Sequence, residues 1–433
     1  MKKTKTLIFF MGDPKFVNGG ILWIQNLLEN LTKIPDMDFV LVNGGLKESQ
    51  DTSCQHYNKF MRVNYFLPCV PIENKTNKNT NFFKSLTTLI LNIVAEKYFF
   101  LVEREAGKQK TLDDGLVDIV ARENPEIILI NDIWSALCVP SVFSLGVTCC
   151  LITLNDELAF HREYRTQNCP IGEKIKDKIE RFARKHGNLI SQLRYSKRVS
   201  SIFRKCSGIV ALTASDLPST LPDHIARAVL PPIFDKHINQ WSYHGGGSVL
   251  FVGNISHYPN RLAIQWICLN LAPQLFVLNN SIALNIIGAS SEDVPSEWKK
   301  PNVNFIGIGS PDTVIQHMTT DDFFVAPISN RFGAKLKLAQ CASHGMPFIA
   351  TREALSGLPF LHSIPLIELD KPEQAASSIA EYINNPNSLK KLSSLIRDLA
   401  QQAYEGQTAS WKNFFSSVLK VRRVADVSSG SHL

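Results

Sequence analysis

The feature that most narrows the fold of this chain is a repeated rhythm of short apolar runs, each stopped abruptly. Residues 7–11, 39–42, 127–130, 147–154 and 208–212 are such runs in the first half; 248–252, 283–287, 303–306, 323–326, 347–350 and the pair Leu366 and Ile367 follow in the second. Few of them alternate polar with apolar residues. Both faces of such a strand must therefore be covered, as in parallel sheets packed between helices. Gly12, Gly253, Gly288, Gly307, Pro327 and the polar group Asn155, Asp156 and Glu157 close the runs. Apolar-periodic helical stretches lie between them, at 21–31, 112–122, 259–269 and 335–344. The pattern predicts an α/β architecture. It restarts after a mostly polar stretch, 235–247, that ends in Gly245, Gly246 and Gly247. Two doubly wound, Rossmann-like domains in tandem follow: residues 1–235, then 236–410, with 411–433 as a C-terminal helix and tail.

Composition narrows the function. The 433 residues carry 46 Lys+Arg against 39 Asp+Glu, a net charge of +7. That balance permits an anionic ligand or a membrane surface without requiring either. No zinc finger and no basic helix with a leucine heptad is present, so nucleic acid is not an expected partner. The 9 cysteines include no CxxC pair and are odd in number, which argues against a zinc or iron–sulfur site and against a full disulfide framework. Buried thiols in a reducing compartment are the expectation. The N-terminal MKKTKTLIFFMGD starts like a signal peptide, but its apolar run is short and ends without a small-residue cleavage site. A first strand explains it better. No run reaches the ~20 apolar residues of a membrane span. A cytoplasmic protein is expected, with peripheral contact at the inner face of the membrane as the second placement. The polar stretch 74–81 and the helix candidate 82–102, with its lysines and aromatics, are the segments that could rest on anionic lipid.

Candidate site residues lie where strands end. Gly19 and Gly20 follow the first strand and leave backbone N–H groups available at a helix start, against an anion or a sugar. This is not the GxGxxG dinucleotide fingerprint. Asp156 and His161 follow another strand, where a carboxylate and an imidazole could position or deprotonate a hydroxyl. Arg162 and Arg165 beside them could neutralise phosphate, and ordinary helix capping is the competing role for Asp156. Asp132 and Trp134 are a similar case. Gly253 and Asn254 close the first strand of the second half. The strongest signal is Pro327 to Thr351: Gly333 frees the backbone before a helix, and Lys335 and Lys337 fall in its first turn. Cations there oppose the helix dipole, so a pair of them implies an external anion such as a diphosphate. Gln340 lies further along the same helix, within reach of ribose hydroxyls. Asp321 and Asp322 are adjacent at a strand start and read as a solvated cap. No DxD cation site stands at a strand end, so no metal ligands are assigned.

These residues resemble the nucleotide-sugar domain of the GT-B glycosyltransferases, in particular the retaining family 4 (glycosyl transferases group 1). The matching pieces are Phe251-Val-Gly253, Pro259-Asn260, Asp322-Phe-Phe-Val-Ala-Pro327, Gly333, Lys335, Lys337, Gly345-Met-Pro347, Ala350-Thr351 and Gly357-Leu358. The first domain is similar more loosely, through Gly19 and Gly20, residues 155–165 and residues 207–215. The resemblance implies two domains facing across a cleft, a nucleotide-diphosphate sugar as co-substrate with no further cofactor, and a saccharide, lipid-linked or small-molecule acceptor. It implies sugar transfer with retention and without metal, and a C-terminal helix that crosses back to the first domain. Gly19 and Gly20 would approach the diphosphate or acceptor, and Lys335 and Lys337 the phosphates. The family usually carries two glutamates eight positions apart; here those places hold Phe332 and Gln340, so the usual donor-sugar contacts are altered. Neither the oligomeric state nor the identity of donor and acceptor follows from these motifs.

Overall fold

In the computed structural model the apolar runs become strands of two parallel sheets. The structure describes residues 3–11, 19–45, 50, 63–69, 109–154, 189–218, 221–234 and 240–430. The first sheet holds β1 (Thr4–Met11), β2 (Met37–Gly45), β3 (Val63–Pro68), β4 (Ile127–Asn131), β5 (Thr148–Thr153), β6 (Gly208–Ala211) and β7 (Ala226–Val229). Their spatial order is β3-β2-β1-β4-β5-β6-β7. The second holds β8 (Ser248–Val252), β9 (Ala283–Ile287), β10 (Val303–Gly307), β11 (Phe323–Ala326) and β12 (Phe348–Ala350), in the order β10-β9-β8-β11-β12. All of their pairings are parallel.

The chain divides into two units: Met1–Ile21, Leu28–Leu230 and Ser410–Leu433 in the first, Leu22–Leu27 and Pro231–Ala409 in the second. In the first, α1 (Gly19–Leu31) follows β1. Leu7, Phe9, Ile128, Ile130, Cys149 and Leu151 pack with residues of α2 (Lys110–Glu123), α3 (Ile133–Cys138) and α4 (Leu189–Lys205) into one apolar core. A side chain of this size stabilises by about 1.5–3 kcal/mol when fully buried. Gly208 in β6 explains how the chain's end joins this unit. A Cβ there would lie 2.7 Å from Val418 and 2.8 Å from the Phe414 ring. Only a glycine lets that long C-terminal helix come so close. Trp411, Phe414 and Phe415 pack ring against ring beside it, with centroids 5.6–6.1 Å apart.

In the second unit α5 (Tyr258–Trp266) runs through a π-helical turn, Ile267–Leu271, into α6 (Ala272–Leu278). Pro273 supplies the cause: with no N–H to give, it cannot continue the i→i−4 ladder, and the preceding turn widens. Tyr258–Leu278 is long and apolar enough to cross a membrane by length and composition, a length the sequence reading did not find. Ala263, Ile264, Ile267, Cys268, Leu271 and Leu275 along it belong to the unit's hydrophobic core, as a core helix requires. α7 (Pro311–Thr320) starts at Ser310, whose hydroxyl accepts from the Thr313 N–H at 3.1 Å. α8 (Leu336–His344) ends at Gly345, which has φ +71°. α9 (Pro372–Asn384) and α10 (Pro386–Gly430) close the chain.

Several sequence expectations change. Leu366 makes a single bridge to Ala350 and no strand forms there. Asp321 and Asp322 are not a solvated cap: they are 6% and 0% exposed. Asp322 accepts from the backbone N–H groups of His244, Gly245 and Ser248 at 3.1–3.4 Å. Asp321 accepts from Asn285 at 3.0 Å and pairs with His317 at 2.8 Å. The pair anchors the connection into the second sheet. The expected loop at 74–81, the helix candidate at 82–102 and the N-terminal part of the helix expected at 172–205 lie outside the described residues.

Candidate functional site

The order of the second sheet decides where a site can form. From β8 the chain winds outward through β9 to β10, then returns to place β11 on the other side of β8. Connections leaving β8 and β11 thus diverge at the carboxyl ends of these strands, and ligands of open α/β sheets bind at such a reversal. Gly253 and Asn254 leave β8; Gly333 and Lys335 lie on the connection from β11 into α8, and Lys337 is in the first turn of α8. The topology brings these five predicted residues to one edge.

The backbone at that edge is compressed. Gly288, after β9, has φ +108°, and a Cβ on it would lie 2.4 Å from the Gly253 carbonyl oxygen and 2.8 Å from the Asn254 nitrogen. A Cβ on Gly253 would in turn lie 2.8 Å from Lys337 Nζ and 2.6 Å from Asn260 Cγ. Two glycines therefore let the β8 and β9 turns nest and admit a lysine ammonium against the main chain. Asn260 ties the pieces together. Its Oδ1 accepts from Lys337 Nζ at 2.8 Å, and its Nδ2 donates to the Asn254 carbonyl at 3.1 Å.

Lys337 is the central cation. Its ammonium sits 4.6 Å from the Phe251 ring centroid. The side chain is largely removed from water, and this pushes its pKa down to about 7, with the Lys335 charge adding to the depression. Lys337 makes no ion pair among the described residues. Lys335 stands one residue before α8 and folds its ammonium back onto the carbonyls of Phe332, at 2.6 Å, and Gly333, at 2.8 Å. It clasps the glycine turn, where Gly333 has φ +67°. No side chain of the residue preceding α8 caps the helix start. His257, which sequence reasoning missed, precedes α5 on the same edge. Water loss lowers its imidazole below the usual pKa, and the Lys337 and Lys335 charges lower it further. Its place three residues before Asn260, after a Gly-Asn turn, is the signal that could have found it.

The remaining predicted residues behave differently. Phe332 is 8% exposed, and the Arg331 guanidinium lies over its ring at 5.2 Å. Gln340 is half-buried on α8. In the first unit Gly19 and Gly20 are the first two residues of α1. Asp156 and His161, with Arg162 and Arg165, lie outside the described residues. Asp132 is a helix cap: its Oδ1 accepts from the Ser135 N–H at 2.7 Å, with φ +70° at the residue itself. Trp134 packs against the first unit's core. Among the described residues no group of three or more His, Cys, Asp or Glu converges as a metal site would need.

Residues 246–385, which carry this edge, match the family Glycosyl transferases group 1. The match covers most of the second unit's strands and helices. The fold of the whole chain is GT-B. It is similar to sucrose-phosphate synthase from Thermosynechococcus elongatus, with a TM-score of 0.64, 12% identity and coverage of 96% of this chain and 100% of that one. TarM gives a TM-score of 0.62 at 10% identity over 95% and 98%. Anabaena HepE, solved in complex with UDP and glucose, gives 0.57 at 11% over 98% and 99%. An uncharacterised 44.6 kDa protein in the cps region of Klebsiella pneumoniae is 24% identical over 276 residues, 61% of this chain and 66% of that protein. The alignment thus spans just under two thirds of the curated relative's length. The likenesses to solved structures show the fold.

Proposed function

We propose that the protein transfers a glycosyl group from a nucleotide-diphosphate sugar to a hydroxyl of a saccharide, lipid-linked glycan or small-molecule acceptor. The observation that carries this reading is the collection of like-signed groups at the carboxyl edge of the second sheet. Burial and the Lys335 charge depress the protonation of Lys337, and burial and both lysine charges depress that of His257. Lys337 makes no ion pair among the described residues, and a diphosphate would bring it an opposite charge.

The chemistry follows from the geometry. Breaking the sugar–phosphate bond leaves negative charge on the departing diphosphate. Lys337, held by Asn260 against Gly253, presents a cation where that charge appears, and backbone N–H groups at the start of α8 add to it. Lys335 keeps the Gly333 turn in shape and contributes positive potential. Gln340 offers a neutral amide to the ribose hydroxyls. Asp156 and His161 are assigned to the acceptor hydroxyl, and Gly19 and Gly20 to the diphosphate or acceptor. UDP in the HepE complex and the cps locus of the Klebsiella relative make a uridine donor and a glycan acceptor the first pair to try. Retention of configuration and metal-independent transfer complete the reading.

One observation favours a second reading, binding without transfer. Phe332 and Gln340 are both uncharged where the resembling family carries glutamates, and Phe332 is buried beneath Arg331. A donor screen read by product mass separates the two. Transfer, or slow donor hydrolysis lost in Lys337→Met, supports the enzyme; nucleotide binding with no turnover of any donor supports the second reading. A chain that no nucleotide sugar protects from thermal unfolding contradicts both.

A further inference from the structure

We propose that Asn260 is a positioning residue for glycosyl transfer: its neutral amide holds the Lys337 ammonium at the carboxyl edge of the second sheet without neutralising it, so that the charge is kept for the donor diphosphate. This rests on the donor reading above and gives a task to a residue that the family resemblance matched without one.

The two residues meet across the reversal of the sheet. Asn260 is the third residue of α5, which follows β8, and Lys337 is the second residue of α8, which follows β11. The 2.8 Å bond from Lys337 Nζ to Asn260 Oδ1 joins them over 77 positions of sequence. The other end of the amide is occupied as well. Its Nδ2 donates to the Asn254 carbonyl at 3.1 Å, and the same carbonyl accepts from the His257 N–H at 3.0 Å. Asn254 Oδ1 closes this turn by accepting from the Ser256 N–H at 2.8 Å. With Nδ2 committed to a carbonyl and Oδ1 to an ammonium, one orientation of the amide satisfies both contacts. A Cβ on Gly253 would meet Oδ1 and Nζ alike, each at 2.8 Å. The pair therefore lies directly against the main chain that ends β8.

The chemistry of the contact decides its purpose. An ammonium has three N–H donors, and the Asn260 amide is the one hydrogen-bond acceptor of Lys337 among the described residues. Phe251 adds its ring face, with the centroid 4.6 Å from Nζ. Neither an amide nor a ring carries a charge. Burial and the Lys335 charge both oppose the protonated lysine. A carboxylate at position 260 would occupy the same space and relieve that cost with an ion pair. It would also close the ammonium in that pair and set negative charge against an arriving diphosphate. The amide fixes the place of the ammonium and leaves two N–H donors for phosphate oxygens.

A double-mutant cycle tests the assignment: calorimetric titration of UDP and of GDP, near neutral pH, into wild type, Asn260→Ala, Lys337→Met and the variant carrying both. Wild type should bind at least one of the nucleotides. Asn260→Ala should bind it about tenfold more weakly. The double variant should bind no more weakly than Lys337→Met, because Asn260 acts through the lysine. A residue that only supports the fold would show its loss again in the lysine-free background. Asn260→Asp keeps the shape and the acceptor, and should weaken binding at least as much as Asn260→Ala. Urea midpoints check the folds, and Asn260→Asp keeps the test open if Asn260→Ala unfolds. Wild-type affinity in either single Asn260 variant, or losses that add in the double variant, overturns the role of Asn260 and leaves the donor reading standing. Wild type that binds neither nucleotide overturns both.

Discussion

The two ends of the five-stranded sheet treat charge in opposite ways. At the amino end Asp321 and Asp322 are buried, and their charges are met from inside: three backbone N–H groups serve Asp322, while Asn285 and His317 serve Asp321. At the carboxyl end Lys337, Lys335 and His257 gather with the same sign, and the charge of Lys335 lowers both of the others. The buried acids complete the fold. Lys337 there is held by Asn260 and makes no ion pair among the described residues, and on the proposed reading an external anion meets its charge. A charged group by itself therefore says little; what separates architecture from a binding site is whether its neighbours already neutralise it.

The contrast can be broken at either end. The largest effect should come from Asp322→Ala, which strips three backbone donors of their acceptor; it should cost about 3 kcal/mol in urea unfolding of the second unit. If it costs nothing, the amino end is not the internally satisfied one. Gly288→Ala should follow, at about 2 kcal/mol, because φ +108° and a 2.4 Å approach to the Gly253 carbonyl leave no room for a Cβ. It should also weaken nucleotide binding by moving the Gly253–Asn254 turn. Lys337→Met should go the other way in stability. It should raise the melting temperature by a few degrees near neutral pH while weakening diphosphate binding at least about tenfold. Asp322→Ala and Lys337→Met with the same sign in both assays would erase the distinction.

The smallest effect is a slope with pH. An unfolded lysine keeps its proton up to about 10.5, whereas Lys337 in the fold gives it up near about 7. Between these values the unfolded chain binds more protons, so the contribution of this group makes the protein more stable as pH rises. Wild type minus Lys337→Met, measured as urea midpoint against pH, should show that rise. A flat difference would place the ammonium in water.

The strand framework was legible because parallel strands buried on both faces leave continuous apolar runs, and β1, β4, β8 and β11 did so. β7, Ala-Arg-Ala-Val, was not, since a short strand at the sheet edge with exposed residues carries no such run. β3 escaped for a related reason: Val-Asn-Tyr-Phe-Leu-Pro mixes polar and apolar residues on the opposite edge. α7 carries a Ser-Pro start signal that was passed over. In the site, Gly333 and the two lysines were readable from local pattern, since a glycine before a helix and cations in its first turn conflict with helix electrostatics. The different tasks of Lys335 and Lys337 were not readable. Which ammonium clasps its own turn and which reaches Gly253 depends on Asn260, 77 residues away from Lys337. The burial of Asp321 and Asp322 was hidden likewise, because apart from His317 their partners come from residues 244–248 and 285, remote in sequence.

Phosphorus NMR of UDP and GDP, titrated in turn with wild type and Lys337→Met, tests the central claim most directly. The diphosphate resonances of at least one nucleotide should shift or broaden with wild type and stay nearly unmoved with the variant. Equal perturbation by both proteins, or none by wild type with any nucleoside diphosphate tried, would contradict the assignment of the carboxyl edge as a diphosphate site.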